Sequence, residues 1–171
     1  MADVLLGRTS AGSTGDFEVS GNAVAWEFQA VATGEVETIW FRPKVANAGL
    51  SSVELGIYTG GGAAPGTKLG SALVGSGFTG TGPYFATLAS PVAVTLGTFY
   101  WLAAVGVGEQ FDWQGDSGGF YSIDAAASPL PATWVEFSTG SNNAIIWGEA
   151  AATAPAIDYD YSQFKIPKLV R

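Results

Sequence analysis

The feature that most constrains this chain is a two-residue rhythm of apolar side chains that restarts repeatedly between glycines and prolines. In "NAVAWEFQAVATG" it puts Val24, Trp26 and Phe28 on one face and Ala23, Ala25 and Glu27 on the other. In "EVETIWFRPKV" it predicts Val36, Thr38 and Trp40 opposite Glu37, Ile39 and Phe41, and in "SSVELGIYTG" Val53, Leu55 and Ile57 opposite Glu54 and Tyr58. Side chains alternate this way on extended strands with one face buried. Further strand candidates are "SALVGSGF", "YFATLA", "VAVTL", "TFYWLAAVGV", "GGFYSIDA", "TWVEFS" and "NAIIWGEA". They are short, rich in β-branched and aromatic residues, and bounded by Gly, Pro, Ser and Asn. No long stretch repeats at a helical period, and "DAAASPLPA" has room for one turn before its prolines stop it. About ten short strands predict an all-β chain, an antiparallel β-sandwich of jelly-roll type.

The 171 residues suffice for one domain with a real core. Apolar residues make up 47% and charged residues 13%, so part of the apolar surface is expected to be buried against other copies or a partner. The net charge of −8 comes from scattered acids, which repel phosphate backbones and argue against nucleic-acid binding. Cysteine and histidine are absent. That excludes disulfides, zinc sites built on Cys and His, and Ser-His-Asp or Cys-His catalysis. The opening "MADVLLGRTSAG" has no basic segment before an apolar run, so no signal peptide is expected. No apolar run approaches the roughly 20 residues of a membrane helix.

Residues 1–20 are expected to form an N-terminal arm and first strand, residues 21–155 the sandwich, and residues 156–171 a C-terminal arm or edge strand. The last segment carries spaced apolar residues, including Tyr159, Tyr161 and Phe164, and three of the seven basic residues: Lys165, Lys168 and Arg171. It is either a solvated tail or a basic arm that docks on an acidic neighbour.

The stretch "LGIYTGGGAAPGTKLGS" poses a choice between a phosphate cradle and a strand-to-strand turn. A P-loop needs Lys followed by Ser or Thr after its second Gly, and then a helix. Here "GTKLG" runs into strand-like "SALVGSGF". The turn reading is the one adopted, with Pro65 at a corner and Gly66 at the next position of a type II turn. In "VTLGTFYWLAAV", Leu96-Gly97-Thr98 turns into a strand with Tyr100 and Leu102 on one face and Phe99, Trp101 and Ala103 on the other. Two apolar faces predict burial on both sides, by the opposite sheet and by a neighbouring subunit or covering loop.

These two stretches carry a resemblance. Leu55, Gly56, Ile57, Tyr58, Pro65, Gly66 and Leu69, followed by Pro91, Val92, Val94, Gly97, Tyr100, Trp101, Leu102 and Ala103, resemble a jelly-roll module of tailed-phage virion proteins and bacterial surface proteins. The likeness spans about residues 36 to 105. It implies a jelly roll used for capsid or tail decoration, adhesion or sugar binding.

The most polar-aromatic stretch is "EQFDWQGDSGGFYSID". As a sugar site, Trp113 or Tyr121 stacks on a pyranose while Asp112, Gln114 or Asp116 accepts hydroxyl hydrogen bonds. As a calcium site, Asp112 and Asp116 share a cation, although the spacing lacks the EF-hand pattern. As plain structure, the stretch is a hairpin loop with its aromatics in the core. Trp134 and Trp147 are core candidates that together make an aromatic interface conceivable. No nucleophile with an activating base is evident, and neither catalytic residue, metal nor cofactor is expected.

The expectation is therefore a non-enzymatic structural component of a tailed-phage virion, assembled in the host cytoplasm. It is a capsid decoration protein that binds itself, as a homotrimer, and major capsid or tail proteins. Apolar burial at about 25 cal/mol per Å² drives the contact, with Leu5 and the C-terminal Tyr159, Tyr161, Phe164, Lys165, Lys168 and Arg171 reaching the lattice. The alternative is a minor tail or surface adhesin module that binds a cell-surface glycan, at residues 109 to 124 or at the 60 to 66 loop. Neither nucleic acid nor a membrane is an expected partner.

Overall fold

The computed structural model describes residues 3–10, 16–19, 22–44, 51–76, 78, 80–107, 111–124 and 129–151. Among them are eleven strands and no helix: β1 (Val4–Gly7), β2 (Asp16–Val19), β3 (Ala23–Gln29), β4 (Gly34–Phe41), β5 (Ser52–Thr59), β6 (Lys68–Val74), β7 (Tyr84–Val94), β8 (Phe99–Val107), β9 (Phe111–Asp124), β10 (Glu136–Ala144) and β11 (Ile146–Glu149). One sheet has the order β1-β11-β4-β7 and the other β10-β9-β3-β8-β5-β6, with β2 pairing β9 outside that path.

Set aside β2 and the hairpin β9–β10, and the pairing nests. The first strand pairs the last, β1 with β11; then come β3 with β8, β4 with β7 and β5 with β6, all antiparallel. A long hairpin rolled over on itself produces this order and sends alternate pairs to opposite sheets. It is the two-Greek-key order of a jelly roll. The hairpin β9–β10 adds two strands beyond β3, so the second sheet is wider than the first.

The core lies between the sheets and follows the two-residue rhythm. Val24, Trp26, Leu55, Ile57, Leu102 and Ala104 face Leu6, Ile39, Phe41 and Ile146 across it. In β4 the predicted phase fails partway. A register shift between Val36 and Thr38 lets Val36 point inward with Ile39 and Phe41 while Trp40 stays outside. A bulge inserts one residue and so flips the face of what precedes it. The stretches "YFATLA" and "VAVTL" form one strand, β7, which tolerates Pro91 because it is the edge of its sheet. "NAIIWGEA" is divided at Ile145, where the chain passes from one sheet to the other.

The 60–66 stretch links β5 to β6 as a hairpin loop, the turn that the sequence favours. Gly66 does not have the positive φ of a type II turn. It is needed because a Cβ there would collide with Thr59 Oγ1, which accepts the Thr67 amide at 2.9 Å. Gly97 does have positive φ, +79°, and Thr98 N donates to Thr95 O across it, a type II turn.

Residues 4–7 belong to the sandwich and not to a free arm. Leu5 is 4% exposed and packs in the core, so the expectation that it reaches a lattice is corrected.

Candidate functional site

The two outer faces of the sandwich differ. On the wider sheet, β8 is buried on both sides, as its two apolar faces predict. Its second face joins Ala23, Ala25, Tyr58, Trp101, Ala103 and Val105 under Leu130 and Trp134. The cover is thus a strap of the chain itself, residues 129–135, between β9 and β10. Small residues in the sheet leave room for it; a Cβ at Gly56 would meet Leu130 Cδ1 at 2.7 Å.

Polar side chains clasp this strap. Leu130 N donates to Glu54 Oε2 at 2.7 Å, and Lys68 Nζ donates to Leu130 O at 2.6 Å. Tyr58 OH donates to Pro131 O at 2.7 Å. Trp134 Nε1 donates to Ser122 Oγ at 2.9 Å, and Val135 N to Asp124 Oδ2 at 2.6 Å. The Trp134 indole stands edge-on to Tyr58, with ring centroids 5.5 Å apart. Burial, with Glu54 and Asp124 adding to it, pushes the Tyr58 phenol far above its ordinary range. Glu54 and Asp124 are buried, and each holds a strap amide. Their place under the strap gives them a structural task. Among the described residues no group of three or more acids is placed to hold a metal.

On the narrower sheet, pairing puts Trp147 beside Trp40 and Trp40 beside Phe85. The indoles of Trp40 and Trp147 are parallel within 2° at 5.7 Å, and Phe85 lies 4.7 Å from Trp40. The result is an aromatic row across three strands, with Gly7 of β1 completing it beside Trp147. Trp147 Nε1 donates to Glu149 Oε1 at 2.8 Å, which fixes that indole. Phe85 is 53% exposed. No family model and no curated protein matches this chain. Its function has to be argued from these faces.

The residues expected to hold a sugar are distributed differently. Trp113 is fully buried, edge-on to Trp26 at 4.8 Å. Tyr121 is buried too, its ring laid over its cross-strand partner Gly140, where a Cβ would strike it. Neither ring presents a face to a ligand, which corrects the stacking expected of them. The backbones of Asp112, Gln114 and Asp116 lie in β9, and their side chains fall outside the described residues. So do Tyr159, Tyr161, Phe164, Lys165, Lys168 and Arg171. Trp134 and Trp147 are on opposite outer faces and share no interface.

The row Trp147–Trp40–Phe85 is the candidate that sequence reasoning missed. Its members come from strands far apart in the chain, and only their register brings them together. The signal within reach was Trp40, an aromatic residue between the polar Thr38 and Arg42.

Proposed function

We propose that this chain is a non-enzymatic structural component of a tailed-phage virion, a capsid decoration module that works by surface burial and self-association. The virion assignment draws on the resemblance over residues 36 to 105. The mode of action draws on one observation: the aromatic row on the narrower sheet. Trp40 has Trp147 on one side and Phe85 on the other, so both faces of its ring are covered, and Trp147 is itself buried. Sugar stacking needs a free ring face. A packed aromatic row whose exposed member is Phe85 suits a flat protein surface better. Self-contact and contact with a capsid or tail protein are both of this kind, and repetition over a lattice makes a weak single contact hold.

Mass spectrometry of purified virus particles from lysates that contain this chain is the test. The expected result is the chain at a fixed ratio to the major capsid or tail protein. Its absence from washed particles overturns the proposal.

A further inference from the structure

We infer that the outer face of the narrower sheet packs against the same face of a second copy, about a two-fold axis that runs across the strands through the aromatic row. The inference rests on the surface-burial reading above and names its partner.

Charge is divided between the two ends of this sheet. The first 151 residues contain four basic residues, Arg8, Arg42, Lys44 and Lys68. Three of them lie at one end of this sheet. Arg8 follows β1 and Arg42 follows β4, and their amides donate to Ile146 O and Ile145 O on the same stretch of chain; Lys44 comes two residues later. The acids lie at the other end. Glu35 and Glu37 are in the first half of β4, Glu149 pairs with Thr38, and Asp3 O accepts the Ala150 amide. The aromatic row separates the two ends. Trp40 and Arg42 are two residues apart and share the outer face.

A face that is basic at one end and acidic at the other is complementary to itself when turned end over end. A two-fold axis through the row does this. It sets Trp40 near Trp40 and brings Arg42 over Thr38 of the other copy, between that copy's Glu37 and Glu149. Two-fold contacts use one patch twice, which is what such a face offers. A head-to-tail ring, as in the trimer expected from sequence, needs two different patches and gains nothing from this symmetry. The face is about 19 Å wide, from four strands at ~4.8 Å, and about 20 Å long over six residues. That is about 380 Å² per copy, below the range of stable specific interfaces, so the association is weak in free solution and salt-sensitive.

Sedimentation velocity of the full chain, over a concentration series at low and high salt, tests this. The expected result is a reversible monomer–dimer equilibrium that salt shifts toward monomer. Arg42→Glu weakens it by at least about tenfold, and adding Glu37→Arg to the same chain restores it, because both copies then carry both reversals. Phe85→Ser also weakens it; should that variant melt early, the Arg42 and Glu37 exchange decides alone. A monomer at every concentration, a trimer, or a dimer indifferent to Arg42→Glu overturns the inference. So does a dilute monomer in which the Trp40 and Phe85 side chains are already shielded from hydroxyl-radical footprinting, which would give the face to residues 152–171 of the same chain. A monomer found in purified particles sinks this contact and leaves the virion assignment standing, and a dimer absent from particles does the reverse.

Discussion

Tyr58 is the residue on which strap and sheet converge. It is fully buried, donates to Pro131 O and packs edge-on against Trp134. Tyr58→Phe keeps the packing and leaves Pro131 O without that donor, so a loss of about 1 kcal/mol is expected in urea unfolding. The same phenol sets a pH dependence. In the unfolded chain it ionises near 10.0, whereas in the fold burial and the two carboxylates hold the proton on well beyond that. Ionisation therefore favours the unfolded chain. The phenol's contribution is flat below about pH 9 and falls as pH rises past 10, where the unfolded phenol gives up its proton. Tyr121, raised by burial, acts in the same direction. Unfolding midpoints at about pH 8 and pH 11 should differ in the parent and differ less in Tyr58→Phe. A second residue-scale test is Gly7→Ala. Gly7 has φ +93°, and a Cβ there would strike Ile146 O in the partner strand. The strained backbone and the clash together predict a loss of about 2 kcal/mol or more.

At the scale of elements, the strap behaves as one unit held at several points. Trp134→Ala removes its largest anchor and should cost about 3–5 kcal/mol, read from the shift in thermal unfolding. Native-state hydrogen exchange on the parent should show residues 129–135 opening before β3, β5 and β8, since the strap has few ladder bonds of its own. How far this was legible in sequence depends on the element. The alternation in β3 and β5 placed every named side chain on its true face, because successive side chains of a strand point to opposite sides, although the strap buries the second face as well. The double-faced β8 announced a cover, but not that "PLPATWV" supplies it, since its contacts run to distant β5, β6 and β8. The bulge in β4 left no local mark. Trp113 looked available beside Asp112 and Gln114, yet the phase of β9 turns it inward against Trp26.

For the molecule as a whole, nesting sets the folding problem. The first sandwich strand finds its partner only when β11 has been made, and nearly every pairing joins distant segments. Topologies of this kind fold slowly, in milliseconds to seconds or longer. Stopped-flow refolding followed by tryptophan fluorescence should show a dominant phase no faster than about milliseconds, and Leu6→Ala should mainly speed unfolding if β1 docks late. The architecture was legible because strand count and spacing determine it; the aromatic row was not, because register belongs to the assembled sheet and no short stretch encodes it.

The pairing of Val4 with Glu149 has a mechanical meaning. Asp3 and Ala150, bonded to each other, leave the sandwich from one corner. Tension applied through them loads the β1–β11 hydrogen bonds one after another, like a zipper, instead of all together in shear. If this module is tethered at both ends, it yields first at that corner under small forces, and the strands behind it stay shut.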